Sequence, residues 1–135
     1  MRLAVVDDGC GFLESLRNHP ELPEAAHGAA IKTALKAKVS RNRDVDLTDD
    51  SINQGVGLTV IREIALRADG CLALVSGDAW LADYARNPRE QRTVSDWQGV
   101  GAYVELRRSR LQRINLVSII QGLPGYAPVK GLKFE

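Results

Sequence analysis

The sequence is 135 residues long, which fits one domain, and its 44% of hydrophobic residues is enough for a buried core that must be mainly aliphatic, because only 5% are aromatic. The 18 basic and 17 acidic residues nearly cancel, so no overall charge attracts the chain to nucleic acid or to a membrane, and neither partner is expected. Two cysteines and the lack of an apolar run of about 18 residues favour a reducing, cytoplasmic location without a membrane span.

The first predicted element is a buried strand that ends at an acidic glycine turn. Residues 3–6 form a continuous apolar run, which is typical of a strand covered on both faces. Asp7 ends this run, and Gly9 and Gly11 flank Cys10. Such closely spaced glycines allow positive φ and let a ligand approach the backbone. A carboxylate beside them can accept a hydrogen bond from a ligand, or it can simply cap the turn.

Two helices and a polar segment follow this turn. We predict a helix of one or two turns from residue 12 to 16, which ends before Pro20 and Pro23. Residues 28–39 have apolar side chains four apart and predict an amphipathic helix. Residues 40–54 are polar and predict an exposed loop.

A second glycine turn opens the next predicted helix, which covers residues 58–68. Gly70 is expected to end this helix in a left-handed cap. The N–H groups at a helix start and the positive end of the helix dipole together favour an anion such as phosphate. Because they are three or four residues apart, four apolar side chains are expected on one face of this helix: Leu58, Ile61, Ala65 and Ala68.

The remaining elements are predicted to be strands and a tail. Residues 71–76 are typical of a central strand, Gly77-Asp78 indicates a turn, and residues 79–84 are expected to pair back. Residues 101–107 alternate between apolar and polar side chains, as in a strand with one wet face. Residues 109–135 form a tail that could dock on the domain or on a partner.

These elements predict an α/β fold of two layers, with helices on one face of a mixed, mostly antiparallel sheet. The sheet is expected to contain residues 2–7, 71–76 and 100–107.

The order of the two glycine turns resembles the C-terminal part of the histidine-kinase-like ATPase (GHKL) domain. Sensor histidine kinases, anti-sigma-factor kinases, type II topoisomerases and one chaperone family share this domain. Residues 5–12 resemble its first glycine box and residues 55–65 its second. The resemblance covers about residues 2–108 and implies an ATP-binding domain in which residues 13–54 form a lid over the nucleotide.

The resemblance also assigns two groups of nucleotide-binding residues. Asp7 would accept a hydrogen bond from the adenine amino group, while Gly9 and Gly11 would let the base and ribose pack against the turn. The phosphates would meet the backbone of the second turn, at Gly55, Val56, Gly57 and Leu58. Mg²⁺ would accompany ATP, as it does in the family.

Two features depart from the family pattern. The N box, whose Asn holds magnesium and which often carries the group that activates water, has no counterpart among these residues. A Thr that often lies near the adenine is replaced by the sequence Gly101-Ala102-Tyr103. We therefore expect nucleotide binding without useful ATP hydrolysis, from either a fragment of a longer protein or a degenerate regulatory binder. The missing elements would leave a surface that favours self-association or a partner protein.

Two other functions remain possible at this stage. The start of the chain also resembles a response-regulator receiver domain, in which an acidic pair holds magnesium near a phosphorylated Asp on a buried parallel strand. Here the aspartates of residues 44–50 lie in a polar segment, and a receiver gives no reason for Gly55-Val56-Gly57. A third possibility is an interaction module that binds no nucleotide. ATP binding, as opposed to phosphorylation by acetyl phosphate, would distinguish the first two.

Overall fold

The computed structural model describes residues 1–36 and 57–123, which contain five helices and three strands. The predicted loop at residues 40–54, the two binding residues Gly55 and Val56, and the end of the tail lie outside these ranges. The elements in chain order are β1 (Arg2–Val6), α1 (Gly11–Ser15), α2 (His27–Ala34), α3 (Gly57–Arg67), β2 (Cys71–Tyr84), β3 (Glu90–Glu105), α4 (Arg108–Leu111) and α5 (Leu116–Gln121).

The three strands form one sheet in the order β1-β3-β2. Leu3 of β1 and Leu72 of β2 both lie opposite Val104 of β3, so β3 is the central strand. Both strand pairs are antiparallel, so the sheet is antiparallel where the sequence predicted a mixed, mostly antiparallel one. The α/β class and the three predicted strand regions are confirmed, since helices α1, α2 and α3 all contact β2 of this sheet.

The prediction that β1 is covered on both faces is wrong. All five of its residues are exposed, with Leu3, Val5 and Val6 between 55% and 65% exposed. β1 lies at the edge of the sheet and pairs only with β3 in the described part of the chain. A short apolar run has the same sequence pattern in a central strand and in an uncovered edge strand, so the pattern could not separate the two.

The turn predicted at Gly77-Asp78 is also wrong, because β2 continues through it to Tyr84. Gly77 has φ +58° and lies between two shifts in the register of β2 against β3, which is the geometry of a β-bulge. A Cβ at this position would lie 2.1 Å from Nδ1 of His27, so only glycine fits. Consequently, residues 79–82 pair with residues 90–93 of β3 and extend the hairpin.

The core lies between the sheet and helices α1 to α3. The predicted apolar side of α2 is confirmed, since Ile31 and Leu35 are buried in the core. In α3, Ala65 is fully buried, but Ile61 is 45% exposed and does not belong to the buried face as predicted. The buried residues of the core cluster are Ile31, Leu35, Ala65, Leu72, Leu74, Ala79 and Leu81, with Phe12, Leu58, Ala102 and Val104 packed against them.

The end of α3 differs from the predicted glycine cap. Asp69 takes the left-handed conformation, with φ +59°, and the N–H of Gly70 donates to the carbonyl of Ala65 at 2.9 Å. The carboxylate of Asp69 contacts Arg86 and lies 3.3 Å from Arg107, and the hydrogen bond from Arg86 lowers the pKa of Asp69. Gly70 is required for another reason, because a Cβ there would lie 1.8 Å from the carbonyl oxygen of Glu105.

Candidate functional site

The acidic glycine turn is held in place by one oxygen of the Asp7 carboxylate. Oδ1 of Asp7 accepts hydrogen bonds from the N–H groups of Gly9, at 2.9 Å, and Val100, at 3.1 Å. The N–H of Asp7 donates to the carbonyl of Val100 at 2.9 Å, and the side-chain amide of Gln98 donates to the carbonyl of Asp8 at 3.2 Å. The turn is thus bonded to β3, and it fixes the orientation of an exposed carboxylate.

Two glycines with positive φ allow the chain segments to meet at this turn. Gly99 has φ +90°, and a Cβ there would lie 2.3 Å from the carbonyl oxygen of Asp7 and 2.7 Å from its Oδ1. Gly11 has φ +75°, and its Cβ would lie 2.7 Å from Oγ of Ser76. Because both conformation and space exclude a side chain, these positions require glycine.

Ser76 connects the turn to both long strands. Its side chain is 1% exposed, and its Oγ accepts from the N–H of Phe12 at 3.2 Å and donates to the carbonyl of Gly99 at 2.9 Å. One buried hydroxyl on β2 therefore bonds both to the start of α1 and to Gly99 of β3. Sequence reasoning missed Ser76, Gly99 and Val100. Only Ser76 has a sequence signal, because it is a lone polar residue at the end of the apolar run 71–75.

The second predicted group lies at the start of α3. Gly57 begins the helix as predicted and is exposed, and a Cβ there would meet no atom of residues 1–36 and 57–123 within 4 Å. Leu58 packs against the same core cluster as Phe12 of the first turn. Since the first N–H groups of an α-helix have no partner within the helix, this end can donate to an anion.

α3 is anchored to β2 by a charged cluster around Asp83, which is 4% exposed. Oδ2 of Asp83 accepts from Nε of Arg62 at 2.5 Å, and Arg89 donates to both carboxylate oxygens, at 2.5 and 2.8 Å. Burial alone would raise the pKa of Asp83, but the hydrogen bonds from Arg89 and Arg62 outweigh it and lower that pKa. We call Asp83, Arg62 and Arg89 the Asp83 cluster.

Comparisons with protein-family models, curated proteins and solved structures find no match. Within residues 1–36 and 57–123, no helix is long and apolar enough to cross a membrane. In the same ranges, no three His, Cys, Asp or Glu side chains are grouped so that they could hold a metal ion. Cys10 and Cys71 are free thiols.

Proposed function

We propose that this protein binds an adenine nucleotide through its acidic glycine turn, as the resemblance to the GHKL domain implies. The observation that carries the proposal is the carboxylate of Asp7. Its Oδ1 is occupied by the N–H groups of Gly9 and Val100, which, among the described residues, leaves Oδ2 of this exposed side chain as an oriented acceptor. The adenine amino group is a donor, and a fixed carboxylate oxygen is a strong acceptor for it.

The proposal assigns the phosphates to the start of α3. This end combines an exposed glycine with the positive end of the helix dipole, and 11 residues give the helix three turns. The Asp83 cluster and the packing of Leu58 hold α3 against the sheet. We propose that binding takes place in the cytoplasm, and the proposal concerns binding only, with no useful hydrolysis by this chain alone.

The receiver-domain alternative loses support from the sheet. It requires a buried parallel strand that carries the phosphorylated Asp, whereas β1, β2 and β3 are paired antiparallel. An interaction module that binds no nucleotide remains as the competing function, and a direct binding measurement distinguishes it from the proposal.

The test is calorimetric titration of ATP and ADP into the wild-type chain and into Asp7→Asn. The amide oxygen of Asn can still accept from Gly9 and Val100, so the turn is preserved while the acceptor facing the adenine becomes a donor. Loss of one hydrogen bond to a charged group weakens binding by about 1.5–3 kcal/mol, or about 10- to 150-fold. Asp8→Asn is the matched control, because it removes the same charge from the neighbouring exposed residue.

A guanine nucleotide provides the second comparison, since guanine presents a carbonyl oxygen where adenine presents its amino group. We expect ADP to bind more tightly than GDP to the wild-type chain, and Asp7→Asn to reduce this preference. Absence of ATP and ADP binding by a folded sample would rule out the proposal. Equal losses in Asp7→Asn and Asp8→Asn would instead show that only overall charge matters.

A further inference from the structure

β1 presents an unpaired edge whose hydrogen-bonding groups can be assigned. Its neighbours Met1 and Asp7 bond to β3 and to the residue that follows it: the N–H of Leu106 donates to the Met1 carbonyl at 3.0 Å, and the N–H of Asp7 donates to the Val100 carbonyl at 2.9 Å. In an antiparallel pair such residues alternate with residues whose N–H and C=O groups point away. The outward groups therefore belong to Arg2, Ala4 and Val6, and no described strand pairs with them.

The side chains of β1 extend the apolar side of the sheet beyond the helices. Leu3 lies opposite Val104 and Val5 opposite Ala102, and both partners on β3 pack against the core. Leu3 and Val5 therefore lie on the same face of the sheet as the core, yet they are 55% and 59% exposed. A strand with free backbone groups and exposed apolar side chains is a ready site for strand addition.

We infer that β1 is the interface between two copies of this chain, paired antiparallel about a two-fold axis through Ala4. In this register Ala4 faces Ala4 of the second copy, Arg2 faces Val6, and Leu3 faces Val5. All three outward-facing residues of each copy then lie at hydrogen-bonded positions of the new ladder. Two three-stranded sheets become one continuous sheet, and the Leu3 and Val5 side chains of both copies pack together between the two sets of helices.

The charges of β1 favour this second copy over a general apolar partner. The strand carries Arg2 at its beginning, which lies 3.2 Å from Glu105 of β3 but is 73% exposed, and it is followed by the exposed residues Asp7 and Asp8 at its end. Antiparallel pairing brings the basic end of one copy to the acidic end of the other, while a parallel pairing would place like charges together. Asp7 also belongs to the proposed nucleotide site, so the interface is tested at Ala4, which takes no part in that site, and either proposal can fail without the other.

The first test is the mass in solution of the full chain by light scattering during size-exclusion chromatography. We expect twice the chain mass of 14.8 kDa for the wild type. Proline at Ala4 removes only an outward-facing N–H, so Ala4→Pro keeps the β1–β3 hydrogen bonds and loses two bonds between the copies. We expect its dimer dissociation constant to rise about tenfold or more, while Ala4→Ser, which keeps the N–H, remains dimeric.

Cross-linking keeps the inference testable even if Ala4→Pro does not fold. In a chain with Cys10→Ser and Cys71→Ala, Ala4→Cys places the two thiols across the axis, and a short bis-maleimide should join the copies. Ser95→Cys, exposed on the outer half of β3, is the control and should not be joined under the same conditions.

Three results would overturn the inference. One is a wild-type chain that stays monomeric at concentrations up to about 100 µM. At this concentration a specific dimer would be populated, whereas a non-specific contact of millimolar affinity would not. Another is a dimer that Ala4→Pro leaves unchanged and that Ala4→Cys does not cross-link. The third is a monomer in which the amides of Arg2, Ala4 and Val6 are protected from hydrogen exchange, because another part of the same chain would then cover the edge.

Discussion

Replacing Asp83 with asparagine should destabilise the fold by removing the charge that holds α3 on β2. Asp83 is 4% exposed and accepts three hydrogen bonds from Arg62 and Arg89. Loss of one partner of a fully buried ion pair costs about 3–5 kcal/mol. Here the arginine side chains are 27% and 38% exposed, so both can regain water, and we expect a smaller loss of about 2–3 kcal/mol.

The assay is urea unfolding at neutral pH, followed by circular dichroism. Asp78→Asn is the matched control, because Asp78 lies on the same strand, carries the same charge and is exposed. We expect the control to stay within about 0.5 kcal/mol of the wild type. Equal free energies of unfolding for Asp83→Asn and Asp78→Asn would refute the assigned role of the Asp83 cluster.

The same cluster predicts a pH dependence of stability. Because hydrogen bonds from the arginines lower the folded-state pKa of Asp83, its ionised form stabilises the fold above the unfolded-state value of about 3.9. This contribution is lost as the pH falls from there toward the folded-state pKa. The difference in unfolding free energy between the wild type and Asp83→Asn should therefore shrink below about pH 4. A difference that stays constant down to pH 2 would contradict the assignment.

Two substitutions at the acidic glycine turn complete the predictions. Gly99→Ala forces a side chain into φ +90° and within 2.3 Å of the Asp7 carbonyl oxygen. We expect a loss of at least about 1–2 kcal/mol of stability in urea unfolding, and weaker binding of ATP at the proposed site in calorimetry. Ser76→Ala leaves the N–H of Phe12 and the carbonyl of Gly99 without their partner, so the free energy of unfolding should fall by about 1–3 kcal/mol. The control Ser95→Ala, on the exposed part of β3, should leave it unchanged.

Sequence patterns predicted the elements whose side chains face two different environments. α2 and α3 were found because a helix between sheet and water needs apolar residues three and four apart. The errors occurred where one pattern serves two structures. Glycine is common both in turns and in bulges, so Gly77-Asp78 predicts a turn where the structure has a bulge. The exposed Ile61 fits the same helical spacing as the buried Ala65, so spacing alone predicts both as buried.

The candidate site was predictable only where its residues are close in sequence. Asp7, Gly9 and Gly11 form one turn, and their role as a bonded unit could be anticipated from glycine spacing. Ser76 and Gly99 reach the same turn through the pairing of β2 with β3, which has a register that local sequence does not specify. Ser76 and Gly99 hold the turn through backbone and hydroxyl contacts, and such contacts have no distinctive sequence pattern.

The long separation between β1 and its partners has a consequence for the order of folding. Asp7 bonds to a residue 93 positions later, whereas β2 and β3 are joined by the short connection at residues 85–89. Because closing a long loop costs more chain entropy than closing a short one, the hairpin should form first and β1 should add to it late. Partly folded chains would then keep most of their helical signal but lack the acidic turn. The proposed nucleotide binding should therefore report the attachment of β1 more sensitively than circular dichroism does.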